Sequence, residues 1–213
     1  MDIVQKERVK YSAVIDCFES DDINKTVDDY ERLVHDMTIQ DLKANLKIKV
    51  VSYAPHSSII RRRYTVDKKP LKNDFSIALL FHIGSNLNLF FSGDIEDQSI
   101  RLMSNEGFDK KLDLLKTPHH TSSSSKLLLK FLDDNITQIE DIKNITHSCT
   151  TVFKQHDLPD NDIVKEYKKR SADFHSTGMK HDANDFNYGI IEYEFGIVSR
   201  KSTCTLVGNA EVL

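Results

Sequence analysis

Glycine and proline are scarce in this 213-residue chain, at 7 and 4 residues. That scarcity excludes collagen-like and low-complexity classes, in which these residues accumulate. No apolar run approaches the roughly 20 residues that a membrane-crossing helix needs. The first seven residues, Met1 to Glu7, mix charges of both signs and contain no apolar stretch of the kind that marks a secretory signal. Cysteine is sparse too. Cys17, Cys149 and Cys204 lie far apart and are odd in number, so one must be unpaired, which fits a reducing cytoplasm. In that compartment the glycosylation patterns at Asn24, Asn135 and Asn144 are chance matches. Basic runs such as Arg61-Arg62-Arg63 are no longer than three residues in a chain of net charge −4, which argues against a protein that coats nucleic acid.

What is present is an ordinary globular composition, 39% hydrophobic and 29% charged, with enough length for one domain or two small ones. Ile23, Val27, Tyr30, Leu33 and Val34 recur at helical spacing behind Asp21 and Asp22, which predicts an amphipathic helix over 21–36. Thr38 and Asp41 stand in capping-box spacing and predict a second short helix over 38–46. The resulting organisation is an N-terminal helical segment, 1–46, followed by a domain over 47–213. In that domain Ile48 to Tyr53 reads as a strand, and 56–73 as a polar loop. The run from Phe75 to Ile83, a turn at Gly84-Ser85-Asn86 and the run from Leu87 to Phe91 read as a hairpin. A helix over 95–103, a strand over 112–115 and a helix over 126–132 follow. Next come a strand over 150–153, a helix opened by Pro159 and Asp160, and a closing hairpin over 189–198 and 202–207. Strands and helices alternate but hairpins recur, so the fold class is α/β with mixed sheets.

Two strand ends carry the chemistry. One delivers Asp94 directly after Gly93, where glycine permits a tight turn and the carboxylate projects from the end of a sheet. The other delivers His119 and His120 after Pro118. Imidazole and carboxylate are ordinary ligands of zinc, and a carboxylate can bridge two cations. Simpler roles exist for each. Asp94 can cap a helix starting at Ile95, and the histidine pair can hydrogen-bond its serine-rich neighbour. His156 reads more readily as structural or exposed than as a ligand. His56, His82, His147, His175 and His181 read as structural. Ser122 to Ser125 lack a partnered base and do not read as a nucleophile. Cys149 and Cys204 read as core filler on strands.

In order, Asn73 to Leu80, Phe91-Ser92-Gly93-Asp94 and Leu115-Lys116-Thr117-Pro118-His119-His120-Thr121-Ser122 resemble the metallo-β-lactamase-fold hydrolases. The resemblance is to the branch found in bacterial DNA-uptake (competence) proteins, and it continues through His156, Pro159, Ser176-Thr177-Gly178 and Gly189. It implies the C-terminal portion of a four-layer αββα sandwich and a site for one or two zinc ions, where metal-bound hydroxide attacks a phosphodiester or amide-type bond. Asp94 matches the metal-bridging aspartate and His119 a late histidine ligand, with His120 beside it as ligand or orienting group and His156 as a further candidate. Two departures stand out. Thr121 occupies a position where the family has glycine, and the family's H-x-H-x-D-H signature is absent. One Asp and one or two His cannot complete a catalytic zinc site. Zinc binding by this chain alone is therefore expected to be weak or absent, with the other half on a partner chain, lost at the start, or degenerated. A half-sandwich leaves an apolar sheet face to be covered by a partner chain, by self-association or by the N-terminal helices. The alternative function is a catalytically inactive module for partner binding or assembly.

Overall fold

A computed structural model describes residues 37–41, 46–60, 72–85, 87–136, 143–153, 156–178, 189–196 and 201–213. The chain divides into two units, Met1–Leu33 and Val34–Leu213. All described residues belong to the second. The helix expected over 21–36 lies outside the described residues, as do Cys17, Arg61 to Arg63 and His181.

The described strands are β1 (Met37–Asp41), β2 (Leu46–Ala54), β3 (Ala78–Ile83), β4 (Leu87–Phe91), β5 (Leu112–Lys116), β6 (Ile145–Thr150), β7 (Ser171–Ser176), β8 (Ile190–Phe195), β9 (Ser202–Val207) and β10 (Glu211–Val212). Eight of them form one sheet in the order β1-β2-β3-β4-β5-β6-β7-β10, and β8 and β9 form a separate hairpin. From β1 to β4 the neighbours are antiparallel, from β4 to β7 parallel, and β10 runs antiparallel to β7. The class is mixed α/β, as the alternation of helices and hairpins predicts.

The helices are α1 (Asp97–Ile100), α2 (Leu127–Asn135) and α3 (Asn161–Arg170). Leu128, Leu129 and Leu132 form the buried stripe of α2, and Ile163, Val164 and Tyr167 that of α3. Both stripes join Val51, Ala78, Leu80, Phe90, Leu115 and Phe174 of the sheet in one core. Asp160 caps α3, its carboxylate accepting from the backbone N–H of Asp162 and Ile163. At the other end of α3, Arg170 grips Asp133 of α2 through two bonds of 2.7 and 2.6 Å.

Three expectations change. Residues 38–41 are strand, not helix. The capping-box spacing is a local signal, and pairing of Met37–Asp41 with the register Val50 to Leu46 of β2 overrides it. The strand expected over 150–153 runs earlier, over Ile145–Thr150, and β7 follows it; both are rich in polar residues, so no apolar run announced them. The polar loop over 56–73 holds a helical turn at residues 57–60 and a short 3-10 turn at Lys72–Phe75.

Candidate functional site at the tips of two parallel strands

β4 and β5 lie side by side and run the same way, with Phe91 in register with Lys116. Three residues beyond that pair lie Asp94 on one chain segment and His119 on the other. The tips are stitched together at the Gly93 carbonyl, which accepts from the His119 backbone N–H (3.2 Å) and from Lys116 Nζ (2.9 Å). The Ser92 hydroxyl donates to the Lys116 carbonyl at 2.5 Å. Gly93 holds φ +57°, and a Cβ there would meet the Ile77 carbonyl oxygen at 2.6 Å. Only glycine fits this turn without displacement.

The histidine segment is bent more sharply. His119, His120 and Thr121 take φ of 43°, 51° and 63°, three consecutive non-glycine residues in the left-handed region. Such backbone persists only where surrounding bonds hold it. Here the fully buried Thr121 hydroxyl meets those of Thr117 and Thr150, each at 2.7 Å, and the Thr121 carbonyl accepts from the Asp160 N–H at the head of α3. Thr121 thus anchors the bend through a buried chain of hydroxyls.

The two histidines turn to different partners. His119 Nδ1 lies 3.0 Å from Glu96 Oε1 and 2.9 Å from Ser124 Oγ. Its Nε2 lies 3.2 Å from Asn73 Nδ2, which also donates to Glu96 Oε1 at 2.9 Å. An amide N–H beside Nε2 requires a lone pair there, so the proton sits on Nδ1 and donates toward Glu96 or Ser124. Glu96 and Ser124 meet the same ring nitrogen, so the imidazole cannot relay a proton from Ser124 to Glu96, and no serine nucleophile is built here.

His120 faces Asp94 instead. Its Nδ1 lies 2.7 Å from Thr151 Oγ1 and 3.2 Å from the Thr151 carbonyl oxygen, and its ring stacks on Phe153 at 5.0 Å and 19°. A tautomer that donates Nδ1–H to that carbonyl carries its lone pair on Nε2, which lies 4.0 Å from Asp94 Oδ2. Burial, above all, holds the His120 pKa below its ordinary 6.5, with Asp94 pulling the other way. Asp94 Oδ1 is met by Lys116 Nζ at 3.4 Å, and burial lowers the pKa of that ammonium in turn.

The candidate residues are therefore sorted into two neighbouring pairs, Asp94 with His120 and Glu96 with His119, the imidazole rings 6.3 Å apart. His156 stands with neither pair. It packs its ring against Phe153 at 5.1 Å and, with Glu96 and His119, lines a cleft of about 1090 Å³ bounded by Ser122 to Ser124 and Asp157 to Asp162. Asp94 is not a helix cap: α1 starts at Asp97 with Glu96 in the capping position. The alternative role of the histidine pair, bonding the serine-rich turn, describes His119.

Zinc needs donors about 2.0–2.2 Å from the ion. Asp94 Oδ2 and His120 Nε2, 4.0 Å apart, span such an ion at a wide angle. His119 has both ring nitrogens engaged by neighbours, and among the described residues no group of three or more His, Cys, Asp and Glu side chains is placed to hold a metal. The fit is that of two donors, short of a site. Glu96 and Thr151 are neighbours of the candidate residues that sequence reasoning missed, and Lys116, though part of the quoted motif, was given no role. Glu96, two residues past Asp94 on the same strand tip, was the one within reach of a sequence signal.

Comparison with protein-family models, curated proteins and solved structures returns no match. What the fold defines is a mixed α/β protein whose candidate site lies at the ends of parallel strands. Among the described residues no helix is long and apolar enough to cross a membrane.

Proposed function

We propose that this chain carries the C-terminal part of a metallo-β-lactamase-type sandwich and contributes part of a zinc-dependent hydrolase site. In this reading Asp94 and His120 are donors to one ion, His119 is a donor once released from Asn73 or an orienting neighbour, and His156 is a more distant candidate. The remaining ligands come from outside the described residues, on a partner chain or elsewhere in this one. The geometry that carries the reading is the 4.0 Å approach of His120 Nε2 to Asp94 Oδ2, with His120 Nδ1 set beside the Thr151 carbonyl. When Nδ1–H donates to the Thr151 carbonyl, Nε2 and the carboxylate are two facing Lewis bases, an arrangement suited to a cation. A bound zinc would act as Lewis acid and source of hydroxide. The chain's own residues fix the imidazole tautomer through Thr151 and hold the strand tips together through the Gly93 carbonyl. The substrate preferred from the resemblance is a phosphodiester, and the two cysteines among the described residues, both free, are compatible with a cytoplasmic setting.

Lys116 favours a second reading. Its ammonium beside Asp94 Oδ1 already supplies positive charge where an ion would sit. A catalytically inactive relative, kept for partner binding or assembly, would rest in this arrangement.

Calorimetric titration of the full chain with zinc chloride separates the two. The hydrolase reading predicts weak uptake that Asp94→Asn and His120→Gln each abolish, and background hydrolysis of bis(p-nitrophenyl) phosphate until the missing ligands are supplied. Zinc uptake indifferent to both substitutions leaves the assembly module.

A further inference from the structure

The β8–β9 hairpin stands apart from the main sheet in its hydrogen bonding, and exposure alternates strictly along both of its strands. Its less exposed positions include Tyr193 and Phe195 on β8 and Ser202 and Cys204 on β9. They meet one face of β6 and β7, where His147 is in register with Asp173 and Cys149 with His175. His147 and His175 are 5% and 4% exposed, and their rings are 6.0 Å apart.

Each imidazole holds a different strand of the hairpin. His147 Nε2 lies 2.7 Å from Ser202 Oγ on β9, and His175 Nδ1 lies 2.9 Å from Tyr193 Oη on β8. Tyr193 also lies against His147, at 5.3 Å between rings. One atom in this cluster is unsatisfied. His147 Nδ1 is buried without a hydrogen bond, although Asp173 Oδ2 lies 3.4 Å away, within ion-pair reach but out of line. A buried imidazole nitrogen with nothing bonded to it is a place where a proton can be added.

We propose that the β8–β9 hairpin is a pH-gated flap, latched to the sheet by neutral His147 and His175 and released when the pair takes up protons.

The first proton goes to His147 Nδ1, where Asp173 can pair with it. Asp173 is half-exposed, so water weakens that compensation. A second proton on His175 places two like charges at neighbouring rings in a largely dry layer. At the His175–Tyr193 contact the imidazole becomes a donor, and the phenol must give up its own donation to stay bonded. Facing groups offer little relief. From the β5 side Asp113 attracts a charge on His147, while Lys111 repels it. Cys149 and Cys204 are thiols, burial pushing Cys149 up to about 11. On β10 the residue opposite His175 is Val212. Glu192 and Glu194 lie on the more exposed side of the hairpin.

Burial, as the largest cause, lowers the pKa of both histidines from 6.5, so the folded latch binds protons less readily than the unfolded chain. Its stabilising effect is complete above 6.5 and is lost as pH falls through the folded values. The flap does not draw on the Asp94 and His120 site, and its failure or success leaves the hydrolase proposal where it stands.

Amide hydrogen exchange of the full chain at pH 7.5 and 5.5, normalised to intrinsic rates, reads the latch directly. The expected result is a loss of protection of at least about tenfold in β8 and β9 at pH 5.5, with β3 and β4 unchanged, a pKa unit being a tenfold change. His147→Gln with His175→Gln, which keep hydrogen bonding without titrating, should abolish the pH response. Unchanged hairpin protection, equal loss in β3 and β4, or the same response in the double variant overturns the proposal. Should the double variant not fold, nitrogen-15 NMR titration of the two imidazoles in the native chain decides it. Hairpin opening must track their protonation, and opening at a pH where both stay neutral contradicts the flap.

Discussion

Gly93 and Tyr167 show how single atoms govern this fold. At Gly93 both the left-handed backbone and the Ile77 carbonyl oppose a side chain. Gly93→Ala should destabilise the protein by on the order of 3 kcal/mol, read as a drop in the midpoint of urea unfolding. Tyr167 is the reverse case. Its ring is fully buried, but its hydroxyl has no hydrogen-bond partner. Removing an unsatisfied buried group relieves a desolvation cost, so Tyr167→Phe should stabilise by about 1 kcal/mol in the same experiment. A loss of stability in that variant would mean that the hydroxyl is bonded after all. Sequence alone distinguishes these residues poorly. The need for glycine before Asp94 was legible because strand, glycine and carboxylate occur in order. The neighbour that makes it obligatory, Ile77, is brought there by the antiparallel return of β3, and the missing partner of Tyr167 leaves no trace in composition or spacing.

Among elements, legibility followed apolar periodicity. The hairpin β3–β4 and the closing hairpin were readable from it, while α3 was read from its Pro159-Asp160 opening. β6 and β7 were not, because their faces carry Ser, Thr, His and Asp, several of them bonded across strands and layers only on folding, such as Ser148 with Ser171. β1 was misread because a capping-box pattern of four residues weighs little against pairing to β2. The same elements yield two predictions. The bidentate Arg170–Asp133 pair ties the end of α3 to α2 in a half-exposed position. Asp133→Asn should cost about 1 kcal/mol at low salt, and less at high salt, when unfolding is followed by circular dichroism. Acid should weaken the β6–β7 layer before it unfolds the chain. Since burial depresses both His147 and His175, unfolding free energy should decline as pH falls below 6.5. His147→Gln and His175→Gln should flatten that decline, and a curve level from pH 7.5 to 5.5 in the native chain would be the contrary result.

Among the described residues, α2 and α3 pack one face of the main sheet, and the side chains of β3 and β4 alternate between that face and a second side. Leu79, Phe81, Leu89 and Phe91 point to that second side, Phe81 and Phe91 meeting edge to face at 5.7 Å, and Phe91 remains 39% exposed. The expected site was legible to the level of the strand tips and no further. Asp94 and the His119-His120 pair do emerge from neighbouring parallel strands, as the order of motifs implied. Which histidine turns toward the aspartate is settled by left-handed backbone at residues 119–121 and by Thr151, Asn73 and Glu96, none of which a linear motif exposes. The proposal of a metal-dependent site therefore rests on His120, whose free nitrogen faces Asp94 while Lys116 holds the opposite oxygen.

Side-chain nitrogen-15 NMR of the full chain during a zinc titration tests that arrangement most directly. The His120 Nε2 resonance should move as zinc is added while Nδ1 keeps the shift of a protonated nitrogen, and Asp94→Asn should remove the response. An Nε2 signal that stays still, or one that responds equally without the Asp94 carboxylate, contradicts the metal-binding account.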